Sequence, residues 1–202
     1  MPTFLRTHLT ALRMLLAMTV LLGLAYPLLV TGISQLAFPA RANGSIAEYD
    51  GRPVGSTLLG QGFDLPQTDP SAPHRPDPKW FQPRPSAGGY DPTASGASNL
   101  GPNSADLLRS VEERRAAVAA FDGVDPASVP PDALTASGSG LDPHISVAYA
   151  REQAGRVARE RGLPVEELNR LIEQHTDRRS LGLLGQDGVN VLQLNLAVAR
   201  LK

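Results

Sequence analysis

From Met14 to Phe38 the chain carries no charged side chain. As an α-helix, about 25 residues at 1.5 Å each span about 37 Å, enough to cross a hydrocarbon core of ~30 Å with some tilt. Arg6 and Arg13 precede the run and Arg41 closes it. A cleaved signal peptide is the competing reading, because Ala40-Arg41-Ala42 resembles a small-residue cleavage site behind a basic start. Signal peptides keep their apolar stretch to ~7–15 residues, and this one is much longer. The expectation is therefore an N-terminal flank (1–13), a retained transmembrane helix (14–38) and one soluble domain (39–202).

The two arginines before the run favour an N-terminus in the cytoplasm and a domain outside it, on a cell membrane crossed once. Arg41 then lies near the outer end, and Arg52 further on blurs that asymmetry. Thr19, Gly23, Pro27 and Thr31 recur every fourth residue. In lipid, helices associate through close packing and interhelical hydrogen bonds, so this small, weakly polar stripe suits a neighbouring membrane helix as well as lipid. Gly, Thr and Pro are also ordinary in single anchors.

Composition removes several function classes. Nineteen Lys+Arg against 20 Asp+Glu leave a net charge of −1, unlike the basic footprint of a nucleic-acid binder. With no Cys, disulfides, thiol catalysis and Cys-ligated metals are excluded. His8, His74, His144 and His175 show no ligand spacing, so no bound metal is expected.

The soluble part reads as α+β with a loop-rich first half. Pro66, Pro70, Pro73, Pro76, Pro78, Pro83 and Pro85 forbid a continuous helix or central strand. Extended loops with one or two short strands are expected between 40 and 103, pinned to a core by Trp80, Phe81 and Tyr90. Further on, Asn103 or Ser104 caps a helix with Leu107, Leu108, Val111, Val118 and Phe121 on one face, and Gly123 ends it. Asp142-Pro143 reads as a helix start, with Val147, Ala150, Ala154, Val157 and Ala158 inward, Arg and Glu outward, and a stop near Gly162. Pro164 opens another helix, carrying Val165, Leu168, Leu171 and Ile172. Asn190 to Gln193 resembles a capping box, yet Val189 to Leu196 also alternates partly like a strand, and both readings stand.

Catalytic signatures are missing. The only lysines, Lys79 and Lys202, follow no Gly-rich turn, so no phosphate-binding P-loop is present. Ser137-Gly138-Ser139-Gly140 lacks the first Gly of a nucleophile elbow, and no Asp-Lys-Thr-Gly phosphorylation motif occurs. Ser139, Asp142 and His144 fall within six residues, too close along the chain to converge as a triad. What remains is a Gly/Ser turn, Thr135 to Asp142, feeding the expected helix N-terminus. Such an end suits an anion such as phosphate, unless Asp142 already fills it as the cap.

Several blocks together resemble one family. They are Ala42-Asn43-Gly44-Ser45, Gly55-Ser-Thr-Leu-Leu-Gly-Gln61, Arg84-Pro85-Ser86, Ser95-Gly-Ala-Ser-Asn-Leu100, Leu134 to Asp142, Gln153-Ala-Gly-Arg156-Val157-Ala158, and Val189 to Leu196. In this order, behind an N-terminal anchor, they resemble the KdpC family, the small subunits of the bacterial Kdp potassium-transporting P-type ATPase. Only the Pro-rich stretch between Phe63 and Trp80 looks longer than in that family.

The resemblance implies a non-catalytic subunit that works beside a potassium channel-like subunit and an ATP-hydrolysing subunit. It would stabilise their assembly and act as a catalytic chaperone, raising affinity for ATP. It points to Gln153 as a nucleotide contact, and Ser137, Gly138, Ser139 and Gly140 join it as candidates. An extracytoplasmic domain would not meet cytoplasmic ATP, however. The alternative is an extracytoplasmic cap that gates potassium access without touching nucleotide.

Overall fold

The computed structural model describes residues 2–67, 69 and 72–201. Pro70 and Lys202, which figured in the sequence reading, lie outside them. The chain forms two compact units, residues 1–46 and 47–202.

The first unit is mainly one helix, α1 (Thr3–Ala37), with a mean hydropathy of 2.1 in its most apolar window and no buried residue. Among the described residues it is the one helix long and apolar enough to cross a membrane. It begins well before the uncharged run. Thr7, His8 and Thr10 bond back to the carbonyls four residues earlier, at 3.0, 2.8 and 2.9 Å, so polar side chains there do not disturb the helix. Residues Leu21–Ala25 widen into a π-turn in which the Tyr26 N–H reaches the Leu21 carbonyl. Pro27 explains this: it has no N–H to offer, and its ring presses on the carbonyl four residues back. The π-turn lies inside the Thr19–Thr31 stripe. In a straight helix that stripe would wind by about 40° per step of four residues, and a wider turn reduces the winding. Past Phe38, a short turn α2 (Pro39–Ala42) is closed by a reciprocal amide pair, Gln35 with Asn43, at 3.2 and 3.1 Å.

The second unit is α+β. Strands β1 (Ile46–Tyr49) and β2 (Arg52–Ser56) form a hairpin whose turn, Asp50-Gly51, has φ of 50° and 73° at its two residues. Such a left-handed pair matches the twist of the flanking strands. Then come the proline-rich loops, α3 (Ala105–Asp122), α4 (Pro131–Leu134), β3 (His144–Ile145), α5 (Val147–Arg161), α6 (Val165–Gln174), β4 (Thr176–Asp177), β5 (Gly188–Asn190) and α7 (Val191–Ala199). The small antiparallel sheet runs β3-β5-β4, with Ile145 and Thr176 flanking Val189 on either side.

Local chemistry sets most ends. Ser104 accepts from the Leu107 N–H and Asn190 from the Gln193 N–H at 3.1 Å, satisfying N-terminal donors that a helix leaves unpaired. Gly123 and Gly162 close α3 and α5 at φ of 74° and 67°, where a side chain would be strained. Val189 to Leu196 uses both of its sequence readings: Val189 and Asn190 end a strand, and a helix capped by Asn190 follows.

Three expectations need correction. Asp142-Pro143 does not start a helix. The Asp142 carboxylate instead accepts the His144 N–H at 3.0 Å, β3 pairs with β5, and α5 starts at Val147 with Ser146 as its cap. Arg156, expected to face outward, is 2% exposed. Leu108 lies off the packed face of α3 and is 60% exposed.

The core gathers Ala150, Ala154 and Val157 of α5, Leu168 and Ile172 of α6, Val189 of β5, and Leu194 and Val198 of α7, all fully buried. Phe81, from the proline-rich loop, is buried among them. Phe81→Ala is expected to cost about 3–5 kcal/mol, seen as a lower denaturation midpoint of the full chain in detergent with an unchanged denaturant slope.

Candidate functional site

The residues of the Gln153 block do not open onto a cleft. Gln153 and Arg156 lie three positions apart on α5, hence on one face, and that face meets residues 78–82. Gln153 is fully buried. Its Oε1 accepts from the Gln82 N–H at 2.6 Å and from Arg156 Nη2 at 2.8 Å, and its Nε2 donates to the Gln82 carbonyl at 3.0 Å. Asn195 of α7 repeats the device one residue earlier: Oδ1 accepts from the Phe81 N–H and Nδ2 donates to the Phe81 carbonyl, both at 2.9 Å. Each side-chain amide thus pairs with both main-chain groups of one residue, as a neighbouring antiparallel strand would.

Arg156 completes the clamp. Its Nη1 donates to the carbonyls of Pro78 and Trp80 at 2.5 and 3.0 Å, and its Nε to Asp122 at 2.6 Å. Side-chain exposure is 2% for Arg156 and 1% for Asp122. The guanidinium lies 4.3 Å from the Phe121 ring centroid, a favourable place for a desolvated cation. On the surface side, Arg161 stacks 4.0 Å over Trp80 and donates to the Lys79 carbonyl at 2.9 Å.

The Gly/Ser turn is engaged in a second cluster. The Ser139 carbonyl accepts from the Gly96 N–H at 2.8 Å and from Ser95 Oγ at 3.1 Å, and the Gly140 carbonyl from Ser86 Oγ at 2.7 Å. Gly140 has φ of 68°, and a Cβ on it would sit 2.7 Å from the Gly96 carbonyl oxygen, so the two loops touch backbone to backbone. Ser137 is buried, whereas Gly138 and Ser139 are exposed. Ser139 Oγ accepts from the Leu141 N–H at 3.1 Å, and no hydrogen bond joins it to His144. Nor does any join Gln153 to residues 137–140. Because α5 starts only at Val147, the turn does not feed a helix N-terminus.

Beside this cluster lies an open cleft of about 510 Å³, lined among others by Arg84, Asp132, Asp142, His144, Ser146 and Asp187. Neither Gln153 nor residues 137–140 line it. Arg84 Nη1 pairs with Asp142 at 3.0 Å, and His144 Nε2 with Asp177 at 3.1 Å. Asp142 and then Asp177 raise the His144 pKa against the opposing effect of burial. Hydrogen bonds from His144, then Arg84, hold the Asp142 carboxyl below its usual range. On α5, Glu152 is pushed up to about 7 by burial and by the negative charges of Asp122 and Asp132. Its Oε1 is buried without a hydrogen-bond partner among the described residues. Sequence reasoning missed Glu152, Asp122 and the inward turn of Arg156, because polar residues between apolar helix positions look like a solvated face.

The signs of these shifts define a pH window. His144 and Glu152 hold a proton more tightly folded than unfolded. Their contribution to stability is complete below their unfolded pKa values and is lost as pH rises through the folded ones. Asp142 is the reverse: its contribution is present above its unfolded pKa and lost as pH falls through the folded one. The melting temperature of the full chain in detergent is therefore expected to fall between about pH 5 and about pH 8. In Glu152→Gln that fall is expected to be smaller, because the amide has no proton to lose.

Comparison with known proteins places the chain in a family. A family model described as K+-transporting ATPase, c chain (KdpC), matches residues 8–200. Three relatives are each described as a potassium-transporting ATPase KdpC subunit. That of Kineococcus radiotolerans is 56% identical over 200 residues, covering 98% of this chain and 95% of its own. That of Streptomyces coelicolor is 44% identical over 209 residues, covering 97% and 93%. That of Mycobacterium bovis is 49% identical over 200 residues, covering 97% and 99%. Over nearly its whole length, from the membrane helix to the last helix of the clamp, the chain belongs to the KdpC family of K+-transporting ATPase subunits.

Proposed function

We propose that this chain is a non-catalytic accessory subunit of an ATP-driven potassium pump. It is anchored once in the cell membrane with its N-terminus in the cytoplasm and its α+β domain outside. Its task is to stabilise the assembly of a potassium channel-like subunit with an ATP-hydrolysing subunit. One observation carries this reading: the buried polar side chains of Gln153, Arg156, Asn190 and Asn195 bond to the chain itself. The Gln153 carboxamide is fully buried and bonded at both ends, so a nucleotide would have to displace the Gln82 main chain to reach it.

On this reading, any rise in the pump's affinity for ATP passes through the shape of the domain, with Gln153 as a positioning residue. The other candidate contacts, Ser137, Gly138, Ser139 and Gly140, then belong to the docking of two loops. The alternative is an extracytoplasmic cap that gates potassium entry without touching nucleotide.

Gln153→Ala separates the two mechanisms. It leaves the Gln82 N–H and carbonyl buried without partners, at a cost of about 1–3 kcal/mol for each group. The expected result is a lower melting temperature for the variant, with no ATP binding by the isolated full chain, wild type or variant, in calorimetry. ATP binding by the wild-type chain that Gln153→Ala weakens tenfold at unchanged melting temperature would restore direct contact. A reporter fused at the C-terminus, active only outside the cytoplasm, is expected to be active; an inactive one overturns the orientation.

A further inference from the structure

The ten residues between β4 and β5 form a second hairpin that ends in bare leucines. Leu181, Leu183 and Leu184 are 91%, 83% and 66% exposed, and the first two exceed every other large apolar side chain described in residues 47–202. This segment is held firmly. The stem pairs Thr176 with Val189 and Asp177 with Gly188. Nearer the tip, Ser180 and Leu184 exchange both backbone bonds, at 2.9 and 3.0 Å, and Asp187 accepts the Arg179 N–H at 3.0 Å. Asp177, at the base, is tied to His144.

The corner residues, Leu181 and Gly182, have φ of 55° and 74°. Gly, Asn or Asp is the ordinary choice at the first such position, and a residue with a larger side chain is strained there. Leu181 touches no core, so nothing within the folded chain accounts for a leucine at that corner.

We infer that this tip, Leu181, Leu183 and Leu184, seats in an apolar cleft with carboxylates at its rim on another subunit of the same K+-transporting ATPase. The inference rests on the accessory-subunit reading above and adds its docking surface. Arg178 and Arg179 supply the complementary charge: both are exposed and neither forms an ion pair among the described residues. Partner carboxylates at contact distance would pair with them directly. Three leucines fall far short of the ~800 Å² per partner of a stable interface, which argues against a dimer of this chain. They suffice for a subunit already held at its partners by a membrane helix, because tethering raises the effective concentration of the second contact.

A bilayer surface is the poorer occupant on two counts. Asp177 and Asp187 bring the hairpin to zero net charge, so anionic lipid exerts little pull at a distance. A rigid, strained corner also gains nothing from fluid lipid, whereas preorganisation strengthens binding to a shaped cleft.

The test uses the full chain co-expressed with the other subunits of its pump. The chain has no Cys, so Leu183→Cys carries a polarity-sensitive dye at one site. The expected result is blue-shifted emission in the purified complex and water-like emission from the chain alone in lipid nanodiscs. Leu183→Asp, and separately Arg178→Glu with Arg179→Glu, are expected to lower retention of the chain in the complex at least tenfold, with the melting temperature of the isolated chain unchanged. Full retention of both variants with water-like emission in the complex overturns the inference and leaves the accessory-subunit reading intact. Blue-shifted emission from the chain alone in nanodiscs overturns it in favour of lipid. Failure of the wild-type chain to co-purify overturns the accessory-subunit reading itself.

Discussion

The soluble unit is organised around a problem that its prolines create. Residues 76 to 85 contain Pro76, Pro78, Pro83 and Pro85, and proline has no N–H to offer a neighbouring strand. The segment builds no sheet of its own, yet Phe81 carries its backbone into the core, where peptide groups must be paired. Side chains do the pairing. Asn195 and Gln153 each take the N–H and the carbonyl of one residue, and Arg156 supplies the carbonyls of Pro78 and Trp80 with donors that no strand provides. Helices α5 and α7 are therefore fixed to the loop by directional bonds as well as by apolar contact.

The ion pair inside this clamp is better understood as a device for specificity than as a source of stability. Two charges lose their hydration when buried, and their attraction repays that loss only with good geometry and full hydrogen bonding. Arg156 meets the condition: Asp122, two carbonyls, Gln153 and the Phe121 ring surround it. An apolar residue of similar size would fill the space yet leave the Pro78 carbonyl unpaired and the Trp80 carbonyl with only the longer Gln82 bond, at 3.4 Å. The cation is held in place by the loop it holds.

Sequence patterns revealed the elements whose signals are local. Ser104, Gly123, Gly162 and Asn190 cap or terminate helices through contacts a few residues away, and those boundaries were legible. Asp142-Pro143 has the same local signature but a different outcome, because its carboxylate is bonded to His144 and Arg84 and pairing with β5 extends the backbone. Distant partners overrode a local preference. The inward turn of Arg156 was illegible for a related reason: its partners lie at positions 78, 80 and 122, and helical periodicity sees only apolar side chains. The candidate site was legible as a set of blocks, and their mutual contacts were not.

Those contacts change what the blocks imply. The Gly55–Gln61 block meets the Leu134–Asp142 block through the Gly60 N–H and the Leu141 carbonyl, at 2.8 Å. It meets the Val189–Leu196 block through Asn190, which donates to the Thr57 carbonyl at 2.8 Å. Ser86 and Gly96 close on the same Gly/Ser turn. Residue pairs 43 to 133 positions apart thus satisfy one another's polar groups. Polar residues at such positions are what a fold requires when much of its backbone is irregular and must borrow donors from elsewhere. A site for a small ligand would instead leave donors free and aimed into a cleft. The Leu181–Leu184 tip is the opposite case, since its side chains satisfy nothing inside the chain. Interior blocks account for how the domain holds its shape, and the bare tip marks where that shape meets something else.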